Sequence, residues 1–321
     1  MPIRSNNNLE SYYDRFINSG AGGPEGVAAQ LDMLGGRGLF IAGNYNGSSS
    51  VNIEYITIAS TGNGTDFGDL TGSGIIVPGA CSSSAGRGVR AGGYDFTNII
   101  DFVTIATTGN ASSYGDLTES RSDLGGVSNG TRGCFGGGAP ATVDAVTIDY
   151  ITIANTGNAT DFGDIGDSGM ARFASVNNAT RGVFVGGDTP NGANRMEYIT
   201  MASTGNSTDF GDVLQAGSYP AGCSGNNDRG IAGGTYSPLT NVIQYITIST
   251  TADSVDFGDL SVTRGGCAAL SSGTRGCFGG GLGTPTYTNV IDYIDPTVLG
   301  NATDFGDLTG THGFGAGTSG D

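Results

Sequence analysis

Tryptophan and lysine are absent from this chain, and histidine occurs once, as His312. With a single histidine, no His-dependent triad recurs along the chain and no multi-histidine metal centre forms. Without lysine, all 13 basic residues are arginine, against 30 acidic ones and a formal net charge of -17. That balance argues against nucleic acid or an anionic membrane surface as the main partner. No apolar run approaches the roughly 20 residues of a membrane-spanning helix, so no membrane insertion is expected, and the N-terminus is polar rather than a signal peptide. Cysteine is sparse: Cys81, Cys134, Cys223, Cys267 and Cys277 form an odd set with no CxxC pair. They read as small buried hydrophobes rather than as disulfides or metal ligands.

What the chain has instead is a phrase that it keeps rewriting. Residues 54 to 70 read EYITIASTGNGTDFGDL, and the same wording returns from Asp101, Asp149, Glu197 and Gln244, with a distorted copy from Asp292. The aromatic of each aromatic-Gly-Asp tripeptide sits at 67, 114, 162, 210, 257 and 305, so the spacing is 47 or 48 residues throughout. Six copies of one unit predict a single cooperative array over residues 35–321 rather than two average domains. The 60 glycines fall at fixed offsets in this pattern, as turn and close-packing positions do, and not as in a disordered low-complexity chain.

Within one repeat, residues 123–129 and 132–137 read as two short strands joined by the Gly130-Thr131 turn. The alternation of IDYITIA over 148–154 predicts a third, half-buried strand. Gly157 and Asn158 close a hairpin to a fourth strand over 161–165. Four short antiparallel strands at this period are the content of a propeller blade, and no segment carries a 3.6-residue pattern long enough for a helical solenoid. A glycine pair ends the second strand at Gly92-Gly93, Gly136-Gly137, Gly186-Gly187, Gly233-Gly234 and Gly279-Gly280, with an aromatic before the third. In this the chain resembles the kelch type of β-propeller, which implies an all-β fold of six four-stranded blades. It departs from that type at the usual fourth-strand tryptophan, where Phe67, Tyr114, Phe162, Phe210, Phe257 and Phe305 stand. The phrase GNATDFGDL joined to GTRGxFxGG also resembles repeats in structural proteins of tailed bacteriophages, marine ones especially.

Arginine-glycine opens the second strand six times, at Arg37, Arg87, Arg132, Arg181, Arg229 and Arg275. The first of these lacks an innermost strand ahead of it, and residues 309–321 look like such a strand without the rest of a repeat. The C-terminal segment is therefore expected to complete the blade built from residues 37–70 and to close the ring. The six arginines are expected to pair with the aspartates of the aromatic-Gly-Asp tripeptides, Asp69, Asp116, Asp164, Asp212, Asp259 and Asp307. No cofactor is expected; the alternative for those aspartates is calcium held by the TDFGD turns. The Asn-x-Ser/Thr triplets at Asn63, Asn110, Asn158, Asn206 and Asn301 read as turn residues.

Residues 1–34 fall outside the repeat. Leu9, Tyr12, Tyr13, Phe16 and Ile17 recur at helical spacing and predict a short helix with one apolar face, followed by a second turn of helix after Pro24. Such an arm is expected either to cover one end of the array or to anchor the chain to another protein. In a four-stranded blade, the loops between strands two and three share one face with the links between blades. These loops vary, and they offer Tyr45, Tyr94, Phe96, Asp188, Asn191, Tyr236 and Tyr287 as binding candidates. Kelch-type copper oxidases need several histidines, sialidase-like propellers need tryptophan at their Asp-box turns, and no carboxylate pair stands out for a glycosidase. An enzyme is not expected. The phage resemblance implies a virion structural protein on a tail or capsid surface, present in multiple copies. Its arm would meet other virion proteins and its loop face a host-surface glycan or receptor. A free-standing extracellular lectin-like propeller and a polysaccharide hydrolase are the other two readings.

Overall fold

The alternation in the third-strand phrase is realised directly: Ile151 and Ile153 are buried while Thr152 between them faces solvent. The computed structural model describes residues 36–320, apart from 46–47, 73–78, 83–85, 95, 140–144, 167–168, 189–193 and 226–227. Every helix or strand among the described residues is a strand, and the sheets are antiparallel. The helix expected around Leu9, Tyr12, Tyr13, Phe16 and Ile17, and its continuation past Pro24, lie outside the described residues.

The strands fall into repeat units of four, arranged in a propeller-like way. Unit two is β4 (Gly79–Ser82), β5 (Arg87–Ala91), β6 (Ile99–Thr104) and β7 (Ser112–Asp116). Unit three is β8 (Gly125–Ser128), β9 (Arg132–Gly136), β10 (Thr147–Thr152) and β11 (Thr160–Asp164). Unit four comprises β12 (Ala174–Asn177), β13 (Arg181–Val185), β14 (Arg195–Thr200) and β15 (Thr208–Asp212). Unit five comprises β16 (Ala221–Gly225), β17 (Arg229–Thr235), β18 (Thr240–Thr247) and β19 (Val255–Asp259). Unit six runs from β20 (Ala268–Ser271) through β21 (Gly276–Gly279) and β22 (Thr288–Ile294) to the long β23 (Thr303–Gly313).

Unit one is assembled from both ends of the described chain. It contributes β1 (Arg37–Tyr45), β2 (Ser48–Thr57) and β3 (Thr65–Asp69), and β24 (Ala316–Gly320) pairs with β1 from Arg37↔Gly320 to Ile41↔Ala316. The C-terminal segment thus occupies the inner-strand position expected for it, with the strand itself confined to 316–320. The end of β23 also pairs with β1 at Asn44↔Gly313 and Tyr45↔His312, which joins units six and one in one eight-stranded sheet.

The core is divided into six clusters, and each straddles two successive units. Val89, Ile100, Tyr114 and Leu117 of unit two pack with Phe135, Ile151 and Ile153 of unit three. At the seam, Phe40, Ile56 and Ile58 of unit one pack with Leu270, Cys277, Ile291 and Phe305 of unit six. The aromatic of each tripeptide is buried at 2–3 % exposure. Cys134 and Cys277 lie in the slot filled by Leu39, Val89, Val183 and Ile231 elsewhere, all at 0 % exposure. Burial pushes both thiols up to about 12, so they stay protonated and serve as apolar filling.

Candidate functional site

The six RG arginines do not reach the aspartates expected for them. Register explains why: Arg132 lies opposite Thr152 at the end of β10, whereas Asp164 lies opposite Thr147 at its beginning. Five residues of extended chain separate the two by roughly 17 Å. Each arginine instead lies over the third-strand ring of its own unit, at 4.2 to 4.6 Å from the centroid. It donates onward to a backbone carbonyl of the next unit. Arg37 reaches Ile105 O (2.9 Å), Arg87 reaches Ile153 O (2.8 Å), Arg132 reaches Met201 O (2.8 Å) and Arg181 reaches Ser249 O (2.9 Å). Arg229 reaches Pro296 O (2.7 Å), and Arg275 returns to Ile58 O of unit one (3.1 Å). Those carbonyls lie just past a third strand, where no ladder partner follows, and the planar guanidinium can stack and donate at once.

Asp69, Asp116, Asp164, Asp212, Asp259 and Asp307 act through their backbone. The Asp164 N–H donates to Asn206 Oδ1 at 3.0 Å, and the Asp69, Asp116, Asp259 and Asp307 N–H groups donate likewise to Asn110, Asn158, Asn301 and Asn63 at 3.1 Å. In unit four Asp212 finds Asp253 in the same role. The Asn-x-Ser/Thr triplets are turn residues, as expected, whose side chains also clamp the preceding unit. Among the described residues no three His, Cys, Asp or Glu side chains gather as a metal site.

Sequence reasoning missed the buried polar residue just before each third-strand aromatic. Glu54, Asp101, Asp149, Glu197, Gln244 and Asp292 are all at 5 % exposure or less. Arg90 pairs with Asp101 at 2.5 Å, Arg121 with Asp149 at 2.6 Å and Arg264 with Asp292 at 2.9 Å. Burial pushes the Asp149 carboxyl up and the Arg121 guanidinium down, each against the attraction of its partner. The signal was present: Asp149 is in phase with the buried Ile151 and Ile153, the one acid on an otherwise apolar face.

Where the units diverge is at one end of the axis. The innermost strands line an axial cavity of about 160 Å³. Its wall is tied by Ser319 Oγ to Ser271 O (2.5 Å), by Ser271 Oγ to Ser224 O, and by Asn177 Nδ2 to Ser128 O (2.8 Å). Ahead of the inner strands, on the loop face, stand Asp123, Arg172, Tyr219, Gly266 and Phe314, all left-handed with φ of 54 to 65°. Their backbones form a chain around the mouth: Arg172 N donates to Asp123 O, Tyr219 N to Arg172 O, Gly266 N to Tyr219 O and Phe314 N to Gly266 O.

The side chains of this belt touch in sequence. Arg172 Nε lies 3.6 Å from Asp123 Oδ1 without a hydrogen bond between them, and Arg172 Nη1 donates to Asp188 at 2.9 Å. The guanidinium sits 5.6 Å from the Tyr219 ring, and Tyr219 meets Phe314 edge-on at 4.7 Å. Burial first, and then the Asp123 carboxylate, push the Tyr219 phenol up. Tyr236 and Tyr287 join Phe314 at 5.9 and 6.1 Å. A smaller cavity of about 60 Å³ lies among Asp123, Arg172, Tyr219 and Phe314.

Of the binding candidates, the structure brings Asp188, Tyr236 and Tyr287 to this mouth. Tyr45 packs against His312 at 6.2 Å and serves the seam. Tyr94 and Phe96 are exposed on unit two at 55 and 38 %. Asn191 lies outside the described residues. Asp123, Arg172, Tyr219 and Phe314 were missed because a left-handed conformation in a non-glycine residue leaves no mark in the sequence. The chain matches no protein-family model and no curated protein.

Proposed function

We propose that the chain is a closed six-bladed kelch-like β-propeller and a non-enzymatic structural protein of a virion. On this reading it is a tail appendage or capsid decoration in multiple copies, mounted through residues 1–34 on other virion proteins. Its loop face meets a host-surface glycan or receptor, or a neighbouring virion protein. The observation that supports this is the division of labour between the two faces. The RG and TGN turns repeat the same inter-unit links around the molecule, whereas the opposite end carries a different residue at each belt position. A constant scaffold with variation gathered at one end is how recognition surfaces are carried.

Sedimentation with particles stripped of the native protein tests the assignment, comparing the full chain with a chain lacking residues 1–34. Pelleting of the full chain alone is the expected result. Binding by both chains, or by neither, would remove the anchoring role and with it the appendage reading.

A further inference from the structure

We propose that the mouth of the axial cavity on the loop face, built around Arg172, Tyr219 and Tyr236, is a binding site for a neutral pyranose. This rests on the loop face being the recognition face and names what that face takes.

Backbone conformation is the first support. Left-handed φ is disfavoured for any residue with a Cβ, and such strain collects at functional sites. The equivalent position in unit six is Gly266, at φ 65°, so the fold accepts the unstrained residue there. Units three, four, five and one nevertheless keep Asp123, Arg172, Tyr219 and Phe314, whose φ values are 54 to 59°. The hydrogen bonds of the belt run through the backbone and need none of these side chains. What the strain preserves is the set of side chains at the mouth.

Charge selects the ligand. Arg172 already occupies the face of Tyr219, the place an external cation would take. Asp123 and Asp188 both lie against that guanidinium, so no positive charge is left over for an anion. The remaining offer is hydroxyls, the Arg172 side chain, 37 % exposed, and Tyr236, 43 % exposed. Beside Tyr236 an open groove of about 390 Å³ continues along Ser237, Leu239, Leu282 and Pro285. An aromatic ring next to fixed donors and acceptors suits a molecule with C–H groups on one face and hydroxyls at its edge.

The test is saturation-transfer NMR on the full chain. Methyl α-D-glucopyranoside, methyl β-D-galactopyranoside and methyl α-D-mannopyranoside are the neutral probes, with glucuronate and tetramethylammonium as charged ones. At least one neutral probe should receive saturation on its ring protons, with a dissociation constant on the order of 1–10 mM. Arg172→Gly and Tyr236→Ala should each weaken it about tenfold or more, and Val298→Ser on the opposite face should not. Arg172→Gly relieves the left-handed strain but also takes the cation from Asp123, so its melting temperature is read only to show that the variant is folded where binding is measured. No saturation of any of the three pyranosides, binding of a charged probe in their place, or undiminished binding by the two variants would overturn the proposal. Pyranose binding needs no particle and sedimentation needs no Arg172, so failure here is distinguishable from failure of the appendage reading.

Discussion

A buried carboxylate is costly unless it is paired, and the repeat units solve that problem in several ways at one position. In unit two the partner is Arg90 of the second strand; in units three and six it is Arg121 and Arg264 of the link before the first strand. In unit four it is Arg195, 3.4 Å from Glu197 and two residues before it. Unit five has Gln244, held by Gln215 and Ser254, and unit one satisfies Glu54 with the Thr309 N–H and hydroxyl. Removing one member of a buried pair strands the other, so Arg121→Met is expected to cost about 3–5 kcal/mol, and Arg121→Met with Asp149→Leu much less. Urea unfolding of the two single variants and the double gives the coupling; additive losses would show that the pair is not a unit. The acids were legible as polar residues in phase with a buried face. Their arginines were not, because the same charge arrives from three places in the repeat and so leaves no period. The RG arginines erred in the other direction: their spacing was read correctly, but periodicity says nothing about which end of a strand a residue occupies.

Between units, the smallest element is the lock of a TGN hairpin on the preceding aromatic-Gly-Asp strand. Gly205 N donates to Phe162 O and Ser207 N to Asp164 O, both at 2.8 Å, while the Asn206 side chain takes the Asp164 N–H. The strands meet so closely that a Cβ on Gly163, at φ 145°, would lie 2.5 Å from the Gly205 carbonyl. A Cβ on Gly205, at φ 154°, would meet nothing within 4 Å. Gly163→Ala is therefore expected to destabilise by about 2–4 kcal/mol and Gly205→Ala by about 1 kcal/mol, the latter from backbone strain alone. Equal losses in chemical unfolding would mean that the close approach is not what keeps Gly163. A single repeat shows why TGN turns; only the neighbouring unit shows why the asparagine follows the glycine. For that reason the strands and hairpins could be read from the sequence, and the lock could not.

At the scale of the whole molecule, stability depends on how the first and last units meet, because each core cluster needs two neighbours. Deleting residues 316–321 removes the inner strand of unit one and bares β1, and is expected to lower the melting midpoint by on the order of 10 °C. An unchanged midpoint in calorimetry would show that the seam is held without it. His312 makes the same seam sensitive to acid. It is 1 % exposed, with neither ring nitrogen hydrogen-bonded among the described residues, and burial lowers its pKa from 6.5 to about 4. The folded chain thus favours the neutral ring. Above pH 6.5 both states hold it neutral and nothing is lost. As pH falls from 6.5 towards 4 the unfolded chain takes up a proton that the folded chain refuses, and stability drops by at most about 3 kcal/mol before levelling. His312→Leu is expected to flatten that part of the profile while leaving the contribution of the carboxylates in place. The variant's urea midpoint minus the parent's should therefore rise as the solution is acidified from pH 7.5 to 4, because only the parent carries this loss. Parallel profiles would mean that His312 finds a partner on protonation and that the seam does not respond to acid through it.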